Sequence, residues 1–151
     1  MHRSAHVFLF DGQGRLFLQQ RGKEKDRFPL RYDSSAAGHV AIGESYDRCA
    51  ERELAEELGV SARVSRLQSF SACADLGWEH VMLYKAVSDG PITVNVNEVE
   101  NGRFLPLLEI ELMIQREPHL FTPDFIYLFS WYMRHARPPR RRAGGKIGSP
   151  G

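Results

Sequence analysis

Residues 38–60 read GHVAIGESYDRCAERELAEELGV, and this stretch decides the fold of the chain. The run from Ser45 to Leu58 consists mostly of helix-forming residues and carries an apolar line along one side. Ser45 is placed to cap the first turn, and Gly59 is placed to end the helix. The sequence therefore predicts one amphipathic helix with a structural glycine, Gly59, at its C-terminus.

Three glutamates of this predicted helix, Glu53, Glu56 and Glu57, stand at positions i, i+3 and i+4. That spacing crowds three carboxylates onto about one third of the helix circumference, so a cation is expected to offset their repulsion. Oxygen ligands without cysteine or a histidine pair favour Mg²⁺ or Mn²⁺ over zinc. Because Mg²⁺ takes further ligands from substrate phosphates, a phosphate or diphosphate ester is the expected substrate. The alternative is a solvated acidic face in which Arg52 pairs with Glu56.

The whole stretch resembles the signature of the Nudix hydrolases, which reads G-x5-E-x7-R-E-U-x-E-E-x-G-U with U an aliphatic residue. At average residue frequencies, a chance match anywhere in the chain has a probability on the order of 10⁻⁷ or less. The matching positions are Gly38, Glu44, Arg52, Glu53, Leu54, Glu56, Glu57, Gly59 and Val60.

The resemblance implies an α/β fold, a Nudix-type α/β/α sandwich whose loop–helix–loop holds divalent metal ions. It also implies that the backbone carbonyl of the Gly38 region binds metal, that Arg52 orients a glutamate, and that Glu44 supports the loop structurally. The metal ligands and candidate catalytic base would come from the glutamates Glu53, Glu56 and Glu57. Many Nudix enzymes add a glutamate from a later loop, for which Glu98 is the candidate and Glu100 the alternative; a solvated loop carboxylate is the competing interpretation.

The reaction implied by such a site is attack of water on a diphosphate phosphorus, assisted by metal ions that activate the water and neutralise phosphoryl charge. Basic residues before the signature are candidates for holding the rest of the substrate, namely Arg21, Lys25 and Arg31. The expected partner is a small-molecule diphosphate, such as a nucleoside diphosphate derivative. Solvated surface charges are the alternative for these basic residues.

A wider resemblance, from about His2 to Met133, points to the branch that contains isopentenyl diphosphate isomerases and YfcD-type hydrolases. The isomerases carry a catalytic cysteine directly before a Gly-His pair and a metal-binding Glu-x-Glu later in the chain. Here Ala37 and Val81 replace the cysteine and the second glutamate. Loss of the acid favours hydrolysis, while His39 and Glu79 remain candidate substrate contacts. An isomerase-like enzyme and a catalytically silent ligand-binding module stay open as alternatives, although intact glutamates disfavour the latter.

Around the signature, hydrophobic runs predict one mixed sheet with about three helices. An Asp-Gly-Gln-Gly turn suggests that the first two strands form a hairpin, and residues 21–35 are expected to be a surface loop. The predicted strands are His6–Phe10, Arg15–Gln20, Ser35–Val40, Arg63–Ala72, Trp78–Val87, Ile92–Val96 and Arg103–Leu105. The other predicted helices are Pro106–Arg116 and one that opens at Thr122.

The 151 residues suit one domain, expected at residues 1–136, followed by a basic and disordered tail at residues 137–151. The tail has clustered arginines without interleaved aromatic residues, so no specific nucleic-acid partner is expected. No apolar run is long enough to span a bilayer and no leader is evident, which predicts a cytoplasmic protein without a membrane partner. A homodimer is compatible with the sequence, which does not fix the oligomeric state.

Overall fold

The structure, a computed structural model, describes residues 2–138 as a mixed seven-stranded sheet with helices on both faces. The strands are β1 (Arg3–Phe10), β2 (Leu16–Arg21), β3 (Tyr32–Asp33), β4 (Ala36–His39), β5 (Ser65–Phe70), β6 (His80–Val87) and β7 (Val99–Leu105). The helices are α1 (Tyr46–Leu58), α2 (Leu107–Arg116) and α3 (Pro123–His135), with short 3₁₀ turns at Ala74–Leu76 and Pro118–Leu120.

The central strand β1 organises the sheet. It runs parallel to β6 over its whole length and antiparallel to β4. The predicted hairpin partner β2 is antiparallel to β1, but the register joins them only at Phe10 and Leu16, beside the turn. From there β2 pairs with β7 and β3 instead. The strands β1 and β2 therefore diverge away from the turn, and their far ends leave a gap in the sheet.

Alternation along β1 assigns its side chains to two cores, as the pleat of a strand requires. Val7 and Leu9 pack with Leu54 and Leu58 of α1 in the first core. The second core lies on the other face, where β1 contributes Phe8 and Phe10, and Ile110, Phe125, Leu128 and Tyr132 come from α2 and α3. This arrangement confirms the predicted α/β/α sandwich with three helices.

The caps of α1 are those expected from the sequence. Ser45 is extended, and its Oγ accepts a hydrogen bond from the backbone N–H of Arg48 at 3.1 Å. Gly59 adopts the left-handed conformation, with φ of 66°, and its N–H donates to the carbonyl of Ala55. The helix that carries the signature therefore has both ends fixed by local interactions.

The predicted strand Ile92–Val96 is wrong, because the structure has no strand over these residues. Their backbone instead satisfies the end of α1, where helix carbonyls lack partners within the helix. The N–H of Thr93 donates to the carbonyl of Leu58, and that of Asn95 to the carbonyl of Glu57, each at 2.9 Å. Ile92 and Val94 of this segment pack against the core on the α1 side of the sheet, whereas Val96 is exposed.

Other boundaries move by a few residues. The last strand begins at Val99, earlier than predicted, because its register with β2 continues past Arg103. Trp78 has a positive φ of 60°, so β6 begins only at His80. The predicted surface loop contains the two-residue strand β3, which pairs with β2. No helix within residues 2–138 is long and apolar enough to cross a membrane. Apart from Arg137 and Pro138, the predicted tail lies outside the described residues.

Candidate active site

A cavity of about 370 Å³ opens where β1 and β2 diverge, and most of its lining is charged. Among residues 2–138, the lysine and arginine residues of the lining are Arg21, Lys25 and Arg27. Seven carboxylates surround the same space: Asp26, Asp33, Glu53, Glu57, Glu79, Glu98 and Asp124. An anion as small as a diphosphate would meet an excess of negative charge here unless cations accompanied it.

Two glutamates of the signature meet at this cavity. Glu57 is only 6% exposed, and the carboxyl group of Glu53 lies beside its own. Its Oε1 also accepts a hydrogen bond from Gln19 Nε2 at 2.8 Å and from the N–H of Ala37 at 3.4 Å. Burial raises the pKa of Glu57 well above its usual range, and the neighbouring Glu53 raises it further. The hydrogen bonds from Gln19 and Ala37 lower the pKa but do not outweigh these two effects. A proton or a cation bound by this pair of carboxylates would therefore offset their mutual repulsion.

Gly38 is required at the floor of the cavity because Glu53 lies against it. A Cβ atom at this position would stand 2.0 Å from Glu53 Oε2, far inside van der Waals contact. The carbonyl oxygen of Gly38 lies 3.5 Å from Cys49 Sγ, whose side chain is fully buried beneath β4. The glycine of the signature thus brings the backbone of β4 onto the carboxylate of Glu53.

Arg52 binds three acidic side chains of the signature. Its guanidinium donates to Glu44 Oε2 at 2.7 Å, to Glu53 Oε2 at 2.8 Å and to Glu56 Oε1 at 3.2 Å. Glu56 is 56% exposed and does not line the cavity, so the structure brings Glu53 and Glu57 together and leaves Glu56 at the rim. Among residues 2–138 no three histidine, cysteine or acidic side chains converge as a ready metal cluster.

The basic residues predicted to bind substrate fall into two groups. Arg21 and Lys25 line the cavity, where Arg21 pairs with Asp33 at 3.2 Å and Lys25 with Glu98 at 3.3 Å. Glu98 therefore reaches the same cavity from the turn before β7. Arg31 does not line the cavity; its guanidinium lies over the Phe28 ring and donates to the carbonyl of Phe121 at 3.4 Å.

His39 and Glu79, predicted from the wider resemblance, form a pair at the edge of the cavity. The distance from His39 Nε2 to Glu79 Oε2 is 2.7 Å, and Ser4 Oγ donates to Glu79 Oε1 at 2.8 Å. Burial would raise the pKa of Glu79, but the hydrogen bonds from Ser4 and His39 outweigh it and the pKa is lowered. The ring of His2 stacks on that of His39, with centroids 4.8 Å apart.

One wall of the cavity was missed by the sequence reasoning, and it consists of His6, Asp33, Thr122 and Asp124. These residues come from β1, β3 and the start of α3, so no single motif contains them. The available signal was His6 itself, a polar residue within an otherwise apolar strand. Alternation along β1 directs it to the same face as Phe8 and Phe10, where α3 begins.

Comparison with known proteins agrees with this fold. A sequence model of the NUDIX domain matches residues 1–125, and the chain therefore belongs to the Nudix family. An isopentenyl-diphosphate Delta-isomerase of Nocardia farcinica is 37% identical over 131 residues, covering 82% of this chain and 74% of the relative. A prenyl-diphosphate phosphatase of Methanosarcina mazei is 31% identical over 127 residues, with coverage of 82% and 74%.

The crystal structure of DR0079 from Deinococcus radiodurans superposes with a TM-score of 0.79 at 28% identity, covering 90% of this chain and 83% of that one. The family and these relatives support a hydrolase of the pyrophosphatase type that acts on a small molecule.

The Glu44–Arg52 contact gives a testable pH dependence. Hydrogen bonds from Arg52 and from the N–H of Ala41 lower the pKa of Glu44 from its ordinary 4.5 to about 2. Its stabilising effect is thus present above pH 4.5 and lost as the pH falls toward 2. We expect Glu44→Gln to melt a few degrees below wild type at pH 7, and the difference to shrink between those two pH values in thermal scans.

Glu51→Gln is the matched control, because Glu51 is an exposed acid on the same helix with no ion pair in the described part of the chain. It should melt like wild type across the whole range. A Glu44→Gln difference that stayed constant with pH would contradict the assignment.

Proposed function

We propose that the protein is a metal-dependent hydrolase that cleaves the diphosphate linkage of a small molecule, such as a nucleoside diphosphate derivative. The observation that carries the proposal is the buried contact between Glu53 and Glu57 at the floor of the cavity. Isolated carboxylates are costly to bury, and pairing two of them needs a proton or a cation. A divalent cation also explains how an anionic substrate enters a cavity lined by more acids than bases.

The residues present fit Mg²⁺ or Mn²⁺, which prefer carboxylate and carbonyl oxygens. In the proposal Glu53 and Glu57 bind the ion, with the carbonyl of the Gly38 region, Glu98 and Glu56 as further ligands. When bound, such an ion would neutralise phosphoryl charge and lower the pKa of the attacking water. Glu98 supports the set because it lines the same cavity. The support for Glu56 is less direct: the Arg52 guanidinium donates hydrogen bonds to both Glu53 and Glu56.

The chain's own residues have distinct parts in this proposal. Arg52 fixes the carboxylate of Glu53 and is itself held by Glu44, so these two orient a ligand without contacting substrate. One of the signature glutamates accepts the proton of the attacking water. Arg21 and Lys25 hold substrate phosphates, which compete with Asp33 and Glu98 for the same cationic groups. Arg31 supports this loop from outside, through the ring of Phe28.

Two residues that differ from those of the isomerases favour hydrolysis over isomerisation. Ala37 lines the cavity where the isomerases carry their cysteine, so no acid is available there. Val81 is 1% exposed and packs in the core, and its side chain supplies no carboxylate for a metal ion. Cys49 does not replace the missing acid, because its thiol is fully buried on the α1 side and burial raises its pKa to about 11.

The first test is Glu57→Gln, which keeps an acceptor for Gln19 but removes the charge. Turnover of diphosphate substrates at saturating Mg²⁺ should fall by orders of magnitude. Metal binding stabilises wild type by RT ln(1 + [M]/Kd), about 2.7 kcal/mol at a hundredfold excess, and the variant should lose most of this increment. In chelator at neutral pH the variant should melt no lower than wild type, since it removes a buried charge. Thermal scans measure the metal-induced increment, and phosphate released from the phosphomonoester products by an added phosphatase measures turnover.

Glu51→Gln again serves as control, because it removes one negative charge from the exposed side of α1. It should keep the activity and the full metal-induced increment. If Glu57→Gln retained either one, the metal would bind elsewhere and α1 would be a solvated acidic surface.

A second test separates the two enzyme classes. Wild-type protein incubated with isopentenyl diphosphate and Mg²⁺ should yield no dimethylallyl diphosphate above background, because Ala37 cannot donate a proton. Product analysis by mass spectrometry or NMR would show it. Clear interconversion of the two isomers would reverse the ranking of hydrolase and isomerase.

A further inference from the structure

His6 has a ring nitrogen that the fold leaves open to the cavity. The side chain is at the cavity wall, yet the residue is only 5% exposed. Its Nδ1 is hydrogen-bonded to Ser34 Oγ at 2.8 Å, which fixes the ring, and Nε2 has no protein partner among the described residues. Every fully buried side-chain nitrogen or oxygen of those residues has a partner. Nε2 is therefore not sealed in the protein but faces the cavity, where a ligand can reach it.

Asp124 brings a free carboxylate to the same wall. It lies in the first turn of α3, is partly buried, and forms no ion pair in the part of the chain that the structure describes. Burial raises the pKa of Asp124, and the neighbouring acids Asp33 and Glu79 raise it further, while His6 acts in the opposite direction. Unlike Asp33, which accepts from Thr122 Oγ1 at 3.1 Å and from Arg21, Asp124 has oxygens available to a ligand.

These two groups define the chemistry of their ligand. A carboxylate accepts a hydrogen bond, and a fixed imidazole nitrogen donates or accepts one according to its tautomer. Together they suit hydroxyl groups, each of which donates and accepts. A hydrocarbon chain would leave both groups buried without partners, which costs more than the contact gains. Among residues 2–138, Phe28 and Ala37 are the apolar side chains that line the cavity, and the other lining side chains carry polar groups.

We propose that His6 and Asp124 form a hydroxyl-binding subsite for the part of the substrate beyond its diphosphate, and that the substrate is a diphosphate ester of a sugar or another polyol. This inference rests on the proposed hydrolase and specifies its substrate class. It separates the chain by specificity from the relatives named for isoprenoid diphosphates, although the family and fold are shared. The subsite lies on the wall formed by β1 and α3, while the signature glutamates belong to α1.

The experiment compares UDP-glucose with geranyl diphosphate, both as substrates in Mg²⁺ and as non-hydrolysable analogues in equilibrium binding. The analogues are the sugar nucleotide and geranyl diphosphate in which a methylene group replaces the oxygen that bridges the two phosphorus atoms. The first variant is His6→Phe, which removes the open ring nitrogen. The second is Asp124→Asn, which keeps the shape of the side chain and tests the subsite even if the buried His6 position does not tolerate a substitution. Controls are His119→Gln and Glu109→Gln, an exposed histidine and a first-turn acid of α2, both outside the cavity.

Wild type should bind and hydrolyse the sugar nucleotide in preference to the prenyl diphosphate. Each subsite variant should raise the KM and Kd for the sugar nucleotide about tenfold or more, as expected for loss of a hydrogen bond to a charged group, with a smaller change in kcat. Values for the prenyl compound should not change, and the controls should match wild type.

The possible failures are distinguishable. Hydrolysis of both compounds with a prenyl preference, or equal losses for both compounds in the variants, would overturn the subsite and leave the hydrolase standing. A binding preference for the sugar nucleotide that the variants abolish, without hydrolysis of either compound, would support the subsite and overturn the proposed function. Absence of any binding preference would overturn the subsite whatever the turnover.

Discussion

The contact between Glu53 and Glu57 is the constraint on which the rest of the site depends. Two carboxylates held together out of water are unfavourable, so the surrounding structure supplies donors to each. Arg52 donates to Glu53, while Gln19 and the N–H of Ala37 donate to Glu57. These donors come from α1, β2 and β4, so the pair connects three elements of the sandwich. A cation bound by the two carboxylates would offset the negative charge that these hydrogen-bond donors leave unbalanced.

The sheet serves this arrangement by being incompletely paired. Because β1 and β2 share only one register pair beside their turn, the opposite ends are free to form the walls of a cavity. Arg21 lines the cavity from β2 and His6 lines it from β1, while Gln19 of β2 donates to the Glu57 carboxylate. A fully paired hairpin would have closed this space with backbone hydrogen bonds. The same divergence lets β4 lie against β1, which brings Gly38 onto Glu53.

The two sides of the cavity differ in chemistry. The signature helix supplies paired carboxylates, suited to cations and through them to phosphate. The wall formed by β1 and α3 supplies an imidazole nitrogen and a free carboxylate, suited to hydroxyl groups. Relatives that share the first side can therefore act on substrates with different organic groups, because the second side is built from residues outside the signature. In the proposed function, reaction and specificity are therefore encoded in separate parts of this small domain.

By itself the sequence determined the signature helix, both of its caps and the family, because these depend on contacts within a few residues and on a dense motif. It also determined that Ala37 cannot serve as an acid. The tertiary structure alone decided that Ile92–Val96 pairs with the end of α1 instead of joining the sheet, since free helix carbonyls compete for the same N–H groups. It likewise decided that Glu56 stays outside the cavity lining and that His6 and Asp124 line the same cavity. Those outcomes depend on which distant elements pack together, and spacing along the chain carries no record of that.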